Sequence, residues 1–162
     1  MPIRRRTNAA SLIEGLVKRY DWRGIALVGV TDHHVLSRLL GTATRCRVTV
    51  VARDLPTAGL RDTGLWTRIK GLCRSYESRA RLIEATPLLG LERLADDEQF
   101  SAVFLAGCEA ATLYDIGGAW LPRVKSGGML IGDGHQDLAI RAVLKVVAPV
   151  ARSGLTGCGS SR

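Results

Sequence analysis

Five short apolar runs, each followed by a stretch with helical spacing, constrain this chain more than any other feature. The runs are RGIALVGV, CRVTVVARD, ARLIEAT, FSAVFLAG and GGMLIGDG. In the first, residues 25–30 are apolar at successive rather than alternate positions and broken only by Gly29, the pattern of a strand buried on both faces of a parallel sheet. The second is β-branched and ends near Ala52, with LPTAG as the loop beyond it. Parallel strands need connections long enough to cross the sheet, so five such alternations predict a mostly parallel sheet with helices on both faces.

The connecting segments suit that role. SLIEGLVKRY places Leu12, Ile13, Leu16, Val17 and Tyr20 at helical spacing, with Ser11 and Glu14 spaced as a capping box. Helices are expected near 34–40, along the basic segment containing Leu65, Ile69, Leu72 and Cys73, near 89–96, and over TLYDIGGAWLPRVK, where Gly117 and Gly118 weaken the helix. A closing helix carries Leu138, Ala139, Ala142, Val143, Val146 and Val147 on one stripe. A chain of 162 residues suffices for one core. The domain is expected over 9–150, between a flexible basic start at 1–8 and a flexible tail at 151–162 without apolar periodicity.

No apolar run approaches the roughly 18 residues of a membrane span, and the basic start lacks the apolar core of a secretory signal. A cytoplasmic setting is the expectation. The four cysteines are widely spaced with no C-x-x-C pair, which argues against a disulfide framework or a metal cluster. A net charge of +8 points to anionic partners: phosphorylated or carboxylated metabolites, nucleic acid or a membrane surface.

In sheets of this type ligands bind beyond the carboxyl ends of the strands, where the strand order reverses. The strand ends here are 29–34, 52–54, 84–86, 106–109 and 132–135. Asp133 and His135 stand together at the last; a histidine beside a carboxylate suits a general base, and a Gly-rich turn with Asp133 capping the next helix explains the same residues. Glu109 suits an ammonium group, or is a favourable charge at a helix start. His33 and His34 read as a polar helix start. Cys108, without a histidine or lysine beside it, is not read as a nucleophile.

The stretch FSAVFLAGCEAATLYDIGGAWLPRVKSGGMLIGDGH resembles the class I S-adenosylmethionine-dependent methyltransferases, in the small-molecule branch reading F-D-x-V-F-I-D-G-x-H, then W-x-P-x-L-K-x-G-G. Val103, Phe104, Leu105, Gly107, Asp115, Ile116, Trp120, Pro122, Lys125, Gly127, Gly128, Gly132 and Asp133 fall in register. The resemblance extends over 11–150 in the order of its elements. It implies a three-layer, Rossmann-like, doubly wound α/β sheet in the order 3-2-1-4-5, and S-adenosylmethionine as cofactor. The antiparallel strand pair that usually completes such a sheet is not evident.

The chain departs from that pattern at the cofactor motifs. Of the glycine loop E-x-G-x-x-x-G only Gly29 remains, with Leu27 and His33 or His34 at the other positions. The acid that ends the second strand and binds the ribose hydroxyls is Ala52, with Asp54 two residues on. At the fourth strand the family's Asp is Ala106 and its His is Glu109, which removes a metal ligand, so no metal is expected. The resemblance places the cofactor among Gly29, Asp54, Glu84, Thr86, Ala106 and Glu109, and proton removal at Asp133 or His135. The expectation is methyl transfer to an oxygen or nitrogen of a small anionic acceptor. Two alternatives stand beside it: a cofactor-free module with this fold, and a nucleic-acid binder using the basic segment Arg61 to Arg81. A fifth strand without a second neighbour implies self-association or a partner along its edge.

Overall fold

The computed structural model describes residues 9–29, 33–42, 45–53, 63–106 and 110–132. The elements in chain order are α1 (Ala9–Tyr20), β1 (Gly24–Val28), α2 (His33–Thr42), β2 (Arg47–Ala52), α3 (Thr63–Ser75), β3 (Ala80–Glu84), α4 (Pro87–Leu91), β4 (Phe100–Leu105), α5 (Ala110–Trp120), a 3-10 turn (Leu121–Arg123) and β5 (Val124–Gly132). The five strands form one sheet in the order β3-β2-β1-β4-β5, and every pairing is parallel. The expected strand number and order are thus those found among the described residues. The closing helix expected after β5 falls outside the described residues.

Strand alternation divides the core in two. Ile25 and Leu27 of β1, Val48, Val50 and Ala52 of β2, and Ala102 and Phe104 of β4 face a layer made by α1, α2 and α3. Ala26, Val28, Val51, Val103 and Leu105 face the opposite layer, where α4 and α5 contribute Leu91, Leu113, Ile116 and Trp120. Helices lie on one face for the steps that run outward through β2 and β3, and on the other for those leading to β4 and β5. The chain reverses direction between β1 and β4, and right-handed crossovers force that change of face.

Four local expectations need correction. α1 begins at Ala9, so Ser11 lies inside the helix and is not its cap. Glu14 instead accepts from Lys18 Nζ at 2.7 Å and from Arg38 Nε at 2.5 Å, tying α1 to α2. Leu12, placed on the apolar stripe by spacing, is exposed. α4, expected as a short helix near 89–96, starts two residues earlier because Thr86 caps it and Pro87 opens it, and it ends at Leu91. β5 also starts earlier. Gly127 and Gly128 sit inside the strand and do not form a turn before it: Phe100 pairs with Val124, but Ala102 pairs with Met129, so β5 carries a bulge. Gly127 adopts φ 76° there, and a Cβ on Gly128 would lie 2.6 Å from the Ser101 carbonyl oxygen. The positive φ favours glycine at 127, and the close approach of β4 favours it at 128.

Candidate functional site

The sheet's carboxyl edge is built around the reversal between β1 and β4. Gly29 ends β1 with φ 72°, and its N–H donates to the Val51 carbonyl at 2.8 Å. The Ala106 N–H donates to the Val28 carbonyl at 2.8 Å. The Ala106 carbonyl oxygen then lies where a Cβ on residue 29 would stand, so Gly29 is required both for its left-handed backbone and for the close approach of β4. Both N–H groups are used inside the sheet. What these residues offer is a tightly closed seam, with Ala106 buried at its end.

The polar groups of this edge gather beside β3. Glu84, its last residue, is in register with Ala52, and β3 alternation puts its side chain on the α3 face. There the carboxylate lies 3.6 Å from Lys70 Nζ of α3, with 55% of the glutamate side chain exposed. The Lys70 ammonium also sits 5.0 Å from the centre of the Trp66 ring. Exposed ion pairs contribute about 0–1 kcal/mol, so a ligand can take Glu84 from Lys70 at small cost. Thr86 Oγ1 accepts from the Leu89 N–H at 3.3 Å, and its capping role explains it without a ligand. Across the edge, His33 and His34 open α2 with ring centres 4.1 Å apart, and Arg68 Nη1 approaches His33 Nε2 at 3.5 Å.

Of the residues singled out from sequence, Gly29 and Ala106 are in contact, while Glu84 and Thr86 stand at the end of β3. Asp54, Glu109, Asp133 and His135 lie outside the described residues, as does Cys108. Sequence reading missed the grouping of Trp66, Lys70 and Glu84. The four-residue interval between Trp66 and Lys70 was a usable signal, because i,i+4 side chains meet on a helix. Among the described residues no group of three or more histidine, cysteine, aspartate or glutamate side chains is arranged to hold a metal.

No family model matches the chain, and no curated protein sequence matches it. Solved structures do. A precorrin-6y C5,15-methyltransferase from Geobacter metallireducens superposes with TM-score 0.63 at 15% identity, over 91% of this chain and 73% of that one. An S-adenosylhomocysteine-bound methyltransferase from Podospora anserina gives 0.60 at 10% identity, over 90% and 68%. An O-methyltransferase family protein from Burkholderia thailandensis gives 0.52 at 15% identity, over 94% and 53%. The fold is that of the class I methyltransferases. Identities this low establish architecture, and function has to come from the site itself. In this sheet Glu84 is the acid in register with Ala52 at the carboxyl ends of β2 and β3.

Burial also sets the chemistry of two thiols. Cys46 and Cys73 are free and buried, and desolvation pushes each up to about 11 from an ordinary 9.0. Arg79 partly offsets this at Cys46. Both stay protonated at neutral pH and are not nucleophiles.

Proposed function

We propose that this chain binds S-adenosylmethionine at the carboxyl edge of the sheet and methylates an oxygen or nitrogen of a small anionic acceptor. One observation carries the reading: on a methyltransferase fold, an exposed carboxylate, Glu84, stands in register beside Ala52 at the strand end where such a sheet presents its ligand. The residues fit the cofactor there. A carboxylate can accept hydrogen bonds from both hydroxyls of a ribose, and Trp66 with the Lys70 stem adds flat apolar surface. The cofactor supplies a methyl group on a cationic sulfur. The chain supplies position, holding the acceptor so that its nucleophilic atom meets that methyl group. His135 or Asp133 would take the acceptor's proton, and the basic surface favours an anionic acceptor.

Cytoplasmic action accords with the two unpaired buried thiols, and no described helix is long and apolar enough to cross a membrane. Self-association along β5 belongs to the same proposal, since β5 pairs with β4 and with no other described strand. The second reading, a cofactor-free module, is favoured by Ala52 itself, an apolar residue where a ribose acid would stand. Nucleic-acid binding through α3 has less support, because the exposed Glu84 carboxylate stands beside Lys70 and would repel a phosphate backbone.

Calorimetric titration of the full chain with S-adenosylmethionine and S-adenosylhomocysteine separates these readings. Micromolar binding, weakened about tenfold by Glu84→Gln as expected for loss of a charged hydrogen-bond acceptor, supports the enzyme. Folded protein that gives no heat at millimolar ligand overturns it in favour of the module.

A further inference from the structure

The opposite edge of the sheet holds a second feature. A cleft of about 700 Å³ opens where the strands begin, lined by residues at the starts of all five strands. Six cationic side chains line it, Arg23, Arg45, Arg47, Arg79, Arg81 and Lys125, against two carboxylates, Glu77 and Glu98. Three of the cations are committed. Arg23 donates to Asp21 through Nε at 3.1 Å and Nη2 at 2.6 Å. Arg79 Nη2 donates to the Leu40 carbonyl at 2.5 Å, and Arg81 Nη1 lies 3.2 Å from Glu98 Oε2. The side chains of Arg45, Arg47 and Lys125 are exposed and enter no hydrogen bond or ion pair among the described residues. Thr49, the polar residue buried in the sheet, also lines the cleft.

We propose that this cleft binds a small oligophosphate, an anion with two or more linked phosphate groups, at a site separate from the carboxyl edge. Like charges gathered around one concavity repel, and a multivalent anion relieves that repulsion while accepting from several donors at once. Arginine favours phosphate because its planar fork offers two parallel N–H donors. The volume lies within the range of small-molecule pockets. Convergence from five strand starts also favours a compact ligand over a polymer, whose phosphates would follow a stripe of cations. The proposal does not depend on the cofactor reading, because none of its residues is at the carboxyl edge.

The test is calorimetric titration of the full chain with tripolyphosphate at low salt. One-to-one binding is expected, weakened about tenfold by Arg45→Ser with Arg47→Ser and by Lys125→Ser, each removing charge-assisted contacts. Arg45→Lys with Arg47→Lys should recover part of the affinity lost in the serine pair, keeping the charge but not the fork, and Arg68→Ser with Arg74→Ser on α3 should retain all of it. Lys125 is exposed on an edge strand, so its variant remains informative if the double arginine variant fails to fold. No heat at millimolar tripolyphosphate overturns the proposal, as does equal binding by every folded variant. Single-stranded RNA binding far more tightly than tripolyphosphate, with affinity falling steeply in salt, would also overturn it and make the cleft a polymer site.

Discussion

Glu14 shows how one carboxylate couples two helices to pH. It is held below the ordinary carboxylate value of 4.5, first by the hydrogen bond from Lys18 and also by that from Arg38, with burial opposing them. A carboxylate depressed in the folded state stabilises the fold above the unfolded value, and the stabilisation is lost as pH falls through the lowered folded value. Glu14→Gln should therefore lower the urea midpoint at neutral pH. The gap between variant and wild type should close on acidification below about 4.5, the ordinary value. No gap at neutral pH would show that the charge of Glu14 adds little to the joining of α1 and α2. Spacing placed this residue on a helix, but it assigned the wrong partner. A capping box is judged from four adjacent positions, whereas Arg38 reaches Glu14 only after α2 has folded back beside α1.

At the scale of elements, Trp120 fastens the face of the sheet that carries α4 and α5. It is fully buried at the end of α5, and its Nε1 donates to the Pro87 carbonyl at 2.9 Å at the start of α4. Trp120→Ala should destabilise the protein by about 3–5 kcal/mol. Trp120→Phe should cost less, isolating the loss of the hydrogen bond and of part of the ring; equilibrium denaturation measures both. Strand existence and order were legible in sequence because buried parallel strands leave short continuous apolar runs between helical patterns. The start of β5 was not, since Gly127 and Gly128 read locally as a turn, and the bulge depends on the Ser101 carbonyl of another strand. At the site, Gly29 and Ala106 were legible as strand ends, but their contact was not. Nor was the pairing of Lys70 with Glu84, which joins a helix to the strand after it and is defined only once α3 lies on the sheet.

Among the described residues the sheet has two edge strands, β3 at one end and, at the other, β5. Its Met129, Leu130 and Ile131 are only partly buried, and Met129 and Ile131 face one core layer while Leu130 faces the other. Open edges invite pairing, so sedimentation at micromolar concentration is expected to show a dimer. Lys125→Glu, placed at the charged start of the strand, should shift that equilibrium, and a monomer throughout would remove self-association from the proposal.

The order of the strands also has a history in time. β1 lies at the centre of the sheet, yet one of its neighbours, β4, pairs Ile25 with Ala102. A ribosome adding roughly 5–20 residues per second needs on the order of ten seconds to make the intervening chain. During that interval β1 and β2 are available to each other, while the other flank of β1 has nothing of its own to pair with. The strand most deeply protected in the finished protein is thus exposed on one side while the chain is being made, and nascent-chain aggregation or chaperone capture would be centred there.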